Sequence, residues 1–270
     1  MSIVKTIYNL NLDQVAESGQ CFRWKKIAEN TYNIPAFGKI LTISRHEKAE
    51  HDFILDCKEE EWKAVWRAYF DLDTDYEAIA KLISESDDEY LKEAYEAGSG
   101  IRILKQDLWE VVVSFLISQN NNIKRIKASI DALCKRAGLE MSAFPGPEDI
   151  GPDFDFSGLG LGYRDVYLKD VYSFARSNPN WPECLKGASY EEAVKDLKSH
   201  PGIGPKVADC VCLFGLHHVE AFPIDTHVKS ILKEHYPGGF DFNKYKGVAG
   251  ILQQYMFNYE LQSKTKKVPV

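Results

Sequence analysis

The sequence predicts an α+β fold, with an N-terminal antiparallel β-sheet subdomain that also carries helix (residues 1–100) and a mostly α-helical domain (101–270). Three observations carry this. Short aromatic and β-branched runs at 22–27, 31–37, 40–44 and 53–57 are separated by turn signals at Glu29-Asn30, Gly38-Lys39 and the charged stretch 45–52, a spacing typical of antiparallel strands. From Glu59 the pattern changes, and Trp62, Val65, Trp66 and Tyr69 share one helical face. After Gly98-Ser99-Gly100 the apolar residues keep a helical period almost to the end. A chain of 270 residues suits two domains or one large one, and it buries a sizeable core without disulfides.

The helical elements follow in order. Asp107-Leu-Trp-Glu110 has the spacing of a capping box ahead of the apolar run 111–117. The polar run Ser118-Gln-Asn-Asn-Asn122 interrupts it. Ile123, Ile126, Ile130 and Leu133 then stripe a second helix, closed by Gly138, with Lys124, Arg125 and Lys127 off the stripe. Residues 159–162 (Leu-Gly-Leu-Gly) read as a loop, 163–175 and 190–200 as helices, 201–204 as a tight turn and 205–216 as a strongly apolar helix. Lysines 264, 266 and 267 form the one charge cluster at a chain end.

Composition sets outer bounds. The 44% apolar and 27% charged fractions exclude disordered, collagen-like and disulfide-scaffold classes. No run of 18 apolar residues is present, so no transmembrane helix is expected, and the N-terminus lacks the apolar stretch of a signal peptide. An intracellular location follows as an expectation, with the six cysteines reduced. A net charge of −7 argues mildly against a nucleic-acid partner, although a DNA-binding face needs only local positive charge and backbone N–H groups.

The turn Pro201-Gly-Ile-Gly204 joins two helices. Glycines at 202 and 204 allow backbone conformations closed to other residues, and such a turn aims N–H groups of the second helix outward as an anion site suited to DNA phosphate; a plain αα-hairpin turn is equally open. Lys206 sits in the first turn of that helix, where the macrodipole disfavours a cation, ahead of a nearly all-apolar run. With a free pKa of about 10.4, only about one lysine in 2,500 is an unprotonated nucleophile at pH 7. Desolvation and a positive dipole both lower that pKa, the route by which an amine comes to attack a carbon centre. The other reading is an exposed lysine paired with Asp209 at i+3, worth about 0.2–0.5 kcal/mol. Asp225, in Phe222-Pro-Ile-Asp-Thr-His227, has the position of an N-cap and could also stabilise a cationic sugar; His227 could hydrogen-bond a phosphate or be a surface residue without a role. Cys210, at i+4 from Lys206, shares its helix face.

Residues 197–210, with Pro-Gly-Ile-Gly-Pro-Lys206 at their centre, followed by Pro223-Ile-Asp225-Thr-His227, resemble the helix-hairpin-helix DNA glycosylase superfamily. Ser18-Gly-Gln-Cys-Phe-Arg-Trp24, Phe115-Leu-Ile-Ser-Gln-Asn120 with the asparagines after it, Leu159-Gly-Leu-Gly-Tyr163-Arg164 and Gln253 to Phe257 narrow the resemblance to the eukaryotic-type 8-oxoguanine DNA glycosylase/AP lyases. The resemblance covers nearly the whole chain. It implies a TBP-like sheet subdomain, a helix-hairpin-helix glycosylase domain, no cofactor and no metal site. It also implies a monomer acting on double-stranded DNA with 8-oxoguanine opposite cytosine, without a membrane partner, in the bacterial cytoplasm at the nucleoid or in a eukaryotic nucleus.

Carried over by resemblance, Lys206 attacks C1′ and leaves a Schiff base from which β-elimination nicks the strand, while Asp225 stabilises the oxocarbenium charge. Gly19 offers its carbonyl to the hydrogen that 8-oxoguanine, unlike guanine, carries on N7; one such buried hydrogen bond is worth about 1–3 kcal/mol. Gln253 reads the Watson–Crick edge, and Phe257 and Cys210 sandwich the base. Asn120, Tyr163, Arg125 and Arg164 fill the hole and hold the opposite cytosine; the alternative for the two arginines is solvated helix surface. The N–H groups around Gly202, Gly204 and Val207, with His227, would hold phosphate.

Other readings stand beside this one. A glycosylase for another damaged base is one; the iron–sulfur branch is argued against by the lack of cysteines after Cys212, and the alkylation-repair branch by Lys206. The other is a non-catalytic helix-hairpin-helix DNA-binding module, which has no reason to keep Lys206, Asp225, Gly19 and Gln253 together.

Overall fold

Five strands form one antiparallel sheet: β1 (Ile3–Thr6), β2 (Lys25–Ala28), β3 (Thr31–Ala36), β4 (Lys39–Arg45) and β5 (Asp52–Leu55), in the order β1-β5-β4-β3-β2. The structure, a computed structural model, describes residues 2–266; Lys267 and the side chains of Lys264 and Lys266 lie outside what it describes. Alternation builds the sheet. Tyr32, Ile34, Leu41, Ile43, Phe53 and Leu55 point inward, whereas Val4, Ile27, Ile40 and Ile54 face outward. The first strand was not expected from sequence. The first expected run shifts as well: Phe22 to Trp24 precede β2 as buried loop, and the strand begins at Lys25. The β3–β4 turn is Phe37-Gly38 rather than Gly38-Lys39, with both residues at positive φ and Ala36 paired to Lys39, a two-residue hairpin.

Helix α1 (Leu12–Glu17) lies between β1 and β2, and α2 (Glu59–Glu61) runs through a π turn (Trp62–Trp66) into α3 (Arg67–Tyr69). Then come α4 (Tyr76–Ser84), α5 (Glu89–Gly98), α6 (Leu108–Ser118), α7 (Ile123–Arg136), α8 (Arg164–Ser177), α9 (Trp181–Lys186), α10 (Tyr190–Leu197), α11 (Pro205–Phe214), α12 (Thr226–His235) and α13 (Ala249–Lys266). Asp107 caps α6 by accepting from the Glu110 N–H at 2.9 Å. The reciprocal half of the expected capping box is not made, because the Glu110 carboxylate turns to Arg23 at 2.7 Å. A complete capping box opens α10 instead, between Ser189 and Glu192.

Buried residues form two clusters. One lies under the sheet and includes Trp24, Trp62, Trp66 and Phe70; the other fills the helical part around α6, whose residues 108–117 are buried except Glu110. Helices α4 and α5 pack into the second cluster, so the cores divide between Leu72 and Tyr76 rather than at residue 100, with Phe22 and Leu104 each crossing over. Arg102 ties the halves: it is buried, and its guanidinium donates to the carbonyls of Phe70, Asp71 and Tyr8 at 2.8, 2.6 and 2.9 Å. The six cysteines are free thiols. No helix among the described residues is long and apolar enough to cross a membrane.

Candidate active site

The hairpin starts from α10 and α11, joined by the Tyr190 hydroxyl donating to Asp209 at 2.8 Å. Asp209 is thus engaged away from Lys206, and the expected alternative of a Lys206–Asp209 pair is not formed. Between the helices, the Ile203 N–H bonds the His200 carbonyl at 3.1 Å, and buried His200 is wedged between the rings of Phe174 and Trp181. Gly202 has φ +84°, and a Cβ there would collide with the Tyr167 ring, so only glycine fits. Gly204, by contrast, has φ −86° and ψ 179°, ordinary extended backbone, so its expected conformational role falls away. Its contribution is that, as N-cap without a side chain, it leaves the end of α11 uncapped. With Pro205 at N1, the N–H groups of Lys206 and Val207 have no intrahelical partner.

One turn along, α11 faces a narrow cleft of about 50 Å³ lined by Gly19, Lys206, Cys210, Asp225, Gln253 and Phe257. All six residues assigned to catalysis and the base pocket are therefore in one place, though they come from four separate parts of the chain. Space for water-sized contents is about one or two molecules, so the cleft as it stands is narrower than a purine. Lys206 Nζ lies 5.1 Å from the centre of the Phe115 ring, and Phe115 stacks on Phe214 at 5.5 Å. Burial pushes the Cys210 thiol up to about 11, against the opposing pull of the neighbouring Lys206, so the sulfur is a neutral thiol at pH 7. Asp225 caps α12 by accepting from the Val228 N–H at 2.8 Å. His227, in the first turn of α12, sets its ring edge-on to Phe257 at 6.0 Å.

The loop carrying Gly19 is held from beneath. Gly19 has φ +77°. Gln20, buried beside it, donates to Ser18 Oγ (2.9 Å) and the Arg102 carbonyl (3.0 Å) and accepts from the Leu104 N–H (2.8 Å). Across the cleft, Gln253 donates to the Pro223 carbonyl at 3.1 Å.

A second group gathers where α6 ends. Asn120 has φ +45°. Arg164 is 8% exposed, and its guanidinium donates to the carbonyls of Gln119 (Nε, 2.7 Å), Leu161 (2.9 Å) and Asn120 (2.9 Å). The solvated-surface reading of Arg164 is thereby overturned. Tyr163 is 52% exposed, with its ring 4.6 Å from the Arg164 guanidinium. Arg125 is exposed in the first turn of α7, which Asn122 caps through the Arg125 N–H at 3.0 Å.

Comparison with known proteins gives the family. The N-glycosylase/DNA lyase of Saccharomyces cerevisiae is 32% identical over 259 residues, spanning 84% of this chain and 68% of the yeast protein. The chain belongs to the N-glycosylase/DNA lyase family. A family model described as "8-oxoguanine DNA glycosylase, N-terminal domain" matches residues 2–112. Among solved structures, MBOgg1 in complex with a low-affinity DNA ligand superposes with a TM-score of 0.89 at 32% identity, covering 97% of this chain and 96% of that one. The Clostridium acetobutylicum 8-oxoguanine glycosylase/lyase, in complex with double-stranded DNA containing cytosine opposite 8-oxoguanine, gives 0.86 at 33% identity, covering 97% and 98%.

Several residues of this cleft were not singled out from sequence. Ser18, Phe115, Phe214, Pro223 and Gln254 line the cleft too, and Gln20 and His200 brace its loop and its hairpin. Phe115 and Phe214 belong to the apolar runs of their helices, so their pattern reads as core. Only the cleft geometry separates them from it.

Proposed function

We propose that this chain excises 8-oxoguanine from duplex DNA, with cytosine preferred opposite the lesion, and then cleaves the strand by β-elimination. The observation that carries the reading is the meeting of Lys206, Asp225, Gly19 and Gln253 in one cleft at the mouth of a hairpin whose helix end is uncapped. Unprotonated Lys206 Nζ attacks C1′ and forms a C–N bond as the glycosidic bond to N9 breaks, and the base leaves with that electron pair and takes up a proton. The Asp225 carboxylate, fixed by its capping bond, offsets the positive charge that develops on the sugar. Opening of the sugar ring gives the Schiff base; loss of a C2′ proton then expels the 3′-phosphate, and water releases the amine.

Recognition divides among the remaining residues. The Gly19 carbonyl accepts from N7–H of the oxidised base, and Cys210, as a neutral thiol, packs on one face of the ring without repelling it, opposite Phe257. The backbone N–H groups after Gly202 and Gly204, including that of Val207, together with His227, receive phosphates. Asn120 and Tyr163 fill the vacated stack while Arg125 and Arg164 face the orphaned cytosine. Arg164 first gives up its bonds to the Gln119 and Asn120 carbonyls, which links reading of the opposite base to rearrangement of the Asn120 loop.

Borohydride trapping on a duplex with one 8-oxoguanine opposite cytosine tests the reading. Wild type forms a covalent adduct, and Lys206→Gln forms none; undamaged guanine gives none with either. Absence of both adduct and base release in wild type would remove Lys206 as nucleophile and leave a binding module as the better account.

A further inference from the structure

Gln253 and Gln254 are adjacent on α13, only 3% and 4% exposed, and both line the cleft. Their amides are not independent. The Pro223 carbonyl can only accept, so the group that Gln253 turns toward it at 3.1 Å must be its NH2. Gln253 Oε1 is then on the other side, where Gln254 meets it at 2.9 Å and must donate. This leaves Gln254 Oε1 buried without a partner. An unpaired buried carbonyl is an expensive outcome, and the reverse orientation would oppose two carbonyl oxygens at Pro223.

An amide side chain is an ambivalent reader. In one sense it offers an acceptor to N1–H and the exocyclic amine of a guanine edge; flipped, it offers a donor to N1 of an adenine edge and an acceptor to its amine. A free glutamine therefore adapts to both. We infer that Gln254 is a positioning residue that, together with the Pro223 carbonyl, holds the Gln253 amide in one sense and so makes the cleft discriminate guanine-type from adenine-type Watson–Crick edges. This rests on the reading of the cleft as the pocket for the extruded base.

Single-turnover release of 8-oxoguanine and 8-oxoadenine, each opposite cytosine, tests it through the ratio of the two rates. Gln254→Met keeps the volume and helix propensity but cannot donate, and the ratio is expected to fall about tenfold, the worth of one buried hydrogen bond. Gln254→Glu gives a second readout. Its carboxyl donates to Gln253 Oε1 when protonated and repels it when ionised, so the ratio in this variant falls as pH rises. In wild type the ratio is flat, because effects of pH on the lysine chemistry are common to both substrates and cancel. If both rates drop together in the Met variant at an unchanged ratio, or if the Glu variant's ratio ignores pH, Gln254 is only structural and the inference is overturned. Failure of wild type to release either base would instead overturn the base-pocket reading itself, and this inference with it.

Discussion

Asp225 combines two duties that a single substitution can separate. Its carboxylate caps α12 through the Val228 N–H, and it lines the cleft beside Lys206. Asparagine caps as well as aspartate does, but carries no charge. Asp225→Asn is therefore expected to keep stability within about 0.5 kcal/mol of wild type while base release slows by about 10²–10³-fold. Asp225→Ala loses the rate and about 1 kcal/mol of stability besides. Single-turnover release with urea unfolding of the same samples checks both, and an Asn variant with full activity would end the electrostatic role. The cleft was legible at this scale where a residue breaks its local pattern, a lysine opening an apolar helix at 206 and an aspartate before a helix at 225, whereas Gly19 and Gln253 entered only through the family resemblance. It was not legible where residues agree with their pattern. Phe115 reads as one more apolar residue of α6, yet its ring is 5.1 Å from Lys206 Nζ. Gly204 shows the opposite error, since its glycine suggested unusual backbone and its φ is ordinary.

At the level of the element, α6 is the helix on which much of the site depends, since it carries Phe115 and ends at the Asn120 loop. Its N-terminal turn carries a half-buried carboxyl group. Glu110 pairs with Arg23 at 2.7 Å, and Arg23 also donates to the Met141 and Ala143 carbonyls at 2.5 and 2.7 Å. Burial pushes the Glu110 carboxyl up to about 7, with Arg23 opposing. An acid whose folded value lies above its unfolded one adds stability that is present below the unfolded pKa of about 4.3 and is lost as pH rises through the folded value. Wild type is thus expected to lose stability relative to Glu110→Gln between pH 5 and 8, by on the order of 1–3 kcal/mol. Urea unfolding at half-unit pH steps measures this, and a difference that stays flat would show that Glu110 does not titrate in that window. The same element shows why the capping box was only half legible. Spacing identifies Asp107 as the cap, but whether Glu110 reaches back or across is decided by Arg23, which is 87 residues away in the chain. Likewise the strands with strong alternation, β3 to β5, were legible, whereas β1, four residues long and half exposed, gains its identity only by pairing with β5.

Across the whole molecule, the question is whether the sheet half and the helical half behave as one. Local sequence cannot answer it, because the ties are single polar side chains reaching between distant segments. Arg102 binds three carbonyls from Tyr8, Phe70 and Asp71; Gln20 bonds Arg102 and Leu104; and Asp71, fully buried at φ +52°, faces Lys105 at 3.1 Å and His217 at 3.2 Å. Gly19, on the sheet side, must stay in register with Lys206 and Phe257 on the helical side for the cleft to exist, so these ties bear on function as well as stability. Replacing Arg102 by leucine keeps apolar bulk but leaves the carbonyls of Phe70, Asp71 and Tyr8 without their donor, and the first two, being buried, each cost about 1–3 kcal/mol. The loss falls on the junction, not on either core. Fluorescence is weighted to the sheet core, which holds Trp24, Trp62 and Trp66 against Trp109 and Trp181 in the helical one, whereas far-UV circular dichroism is weighted to the helices. In wild type, fluorescence and dichroism are expected to trace a single coincident urea transition. In Arg102→Leu the fluorescence transition is expected to move to lower urea ahead of the dichroism, because the sheet core is the smaller of the two and relies on the junction for support. Coincident curves in the variant, merely shifted together, would mean that the apolar contacts between the cores couple them without Arg102.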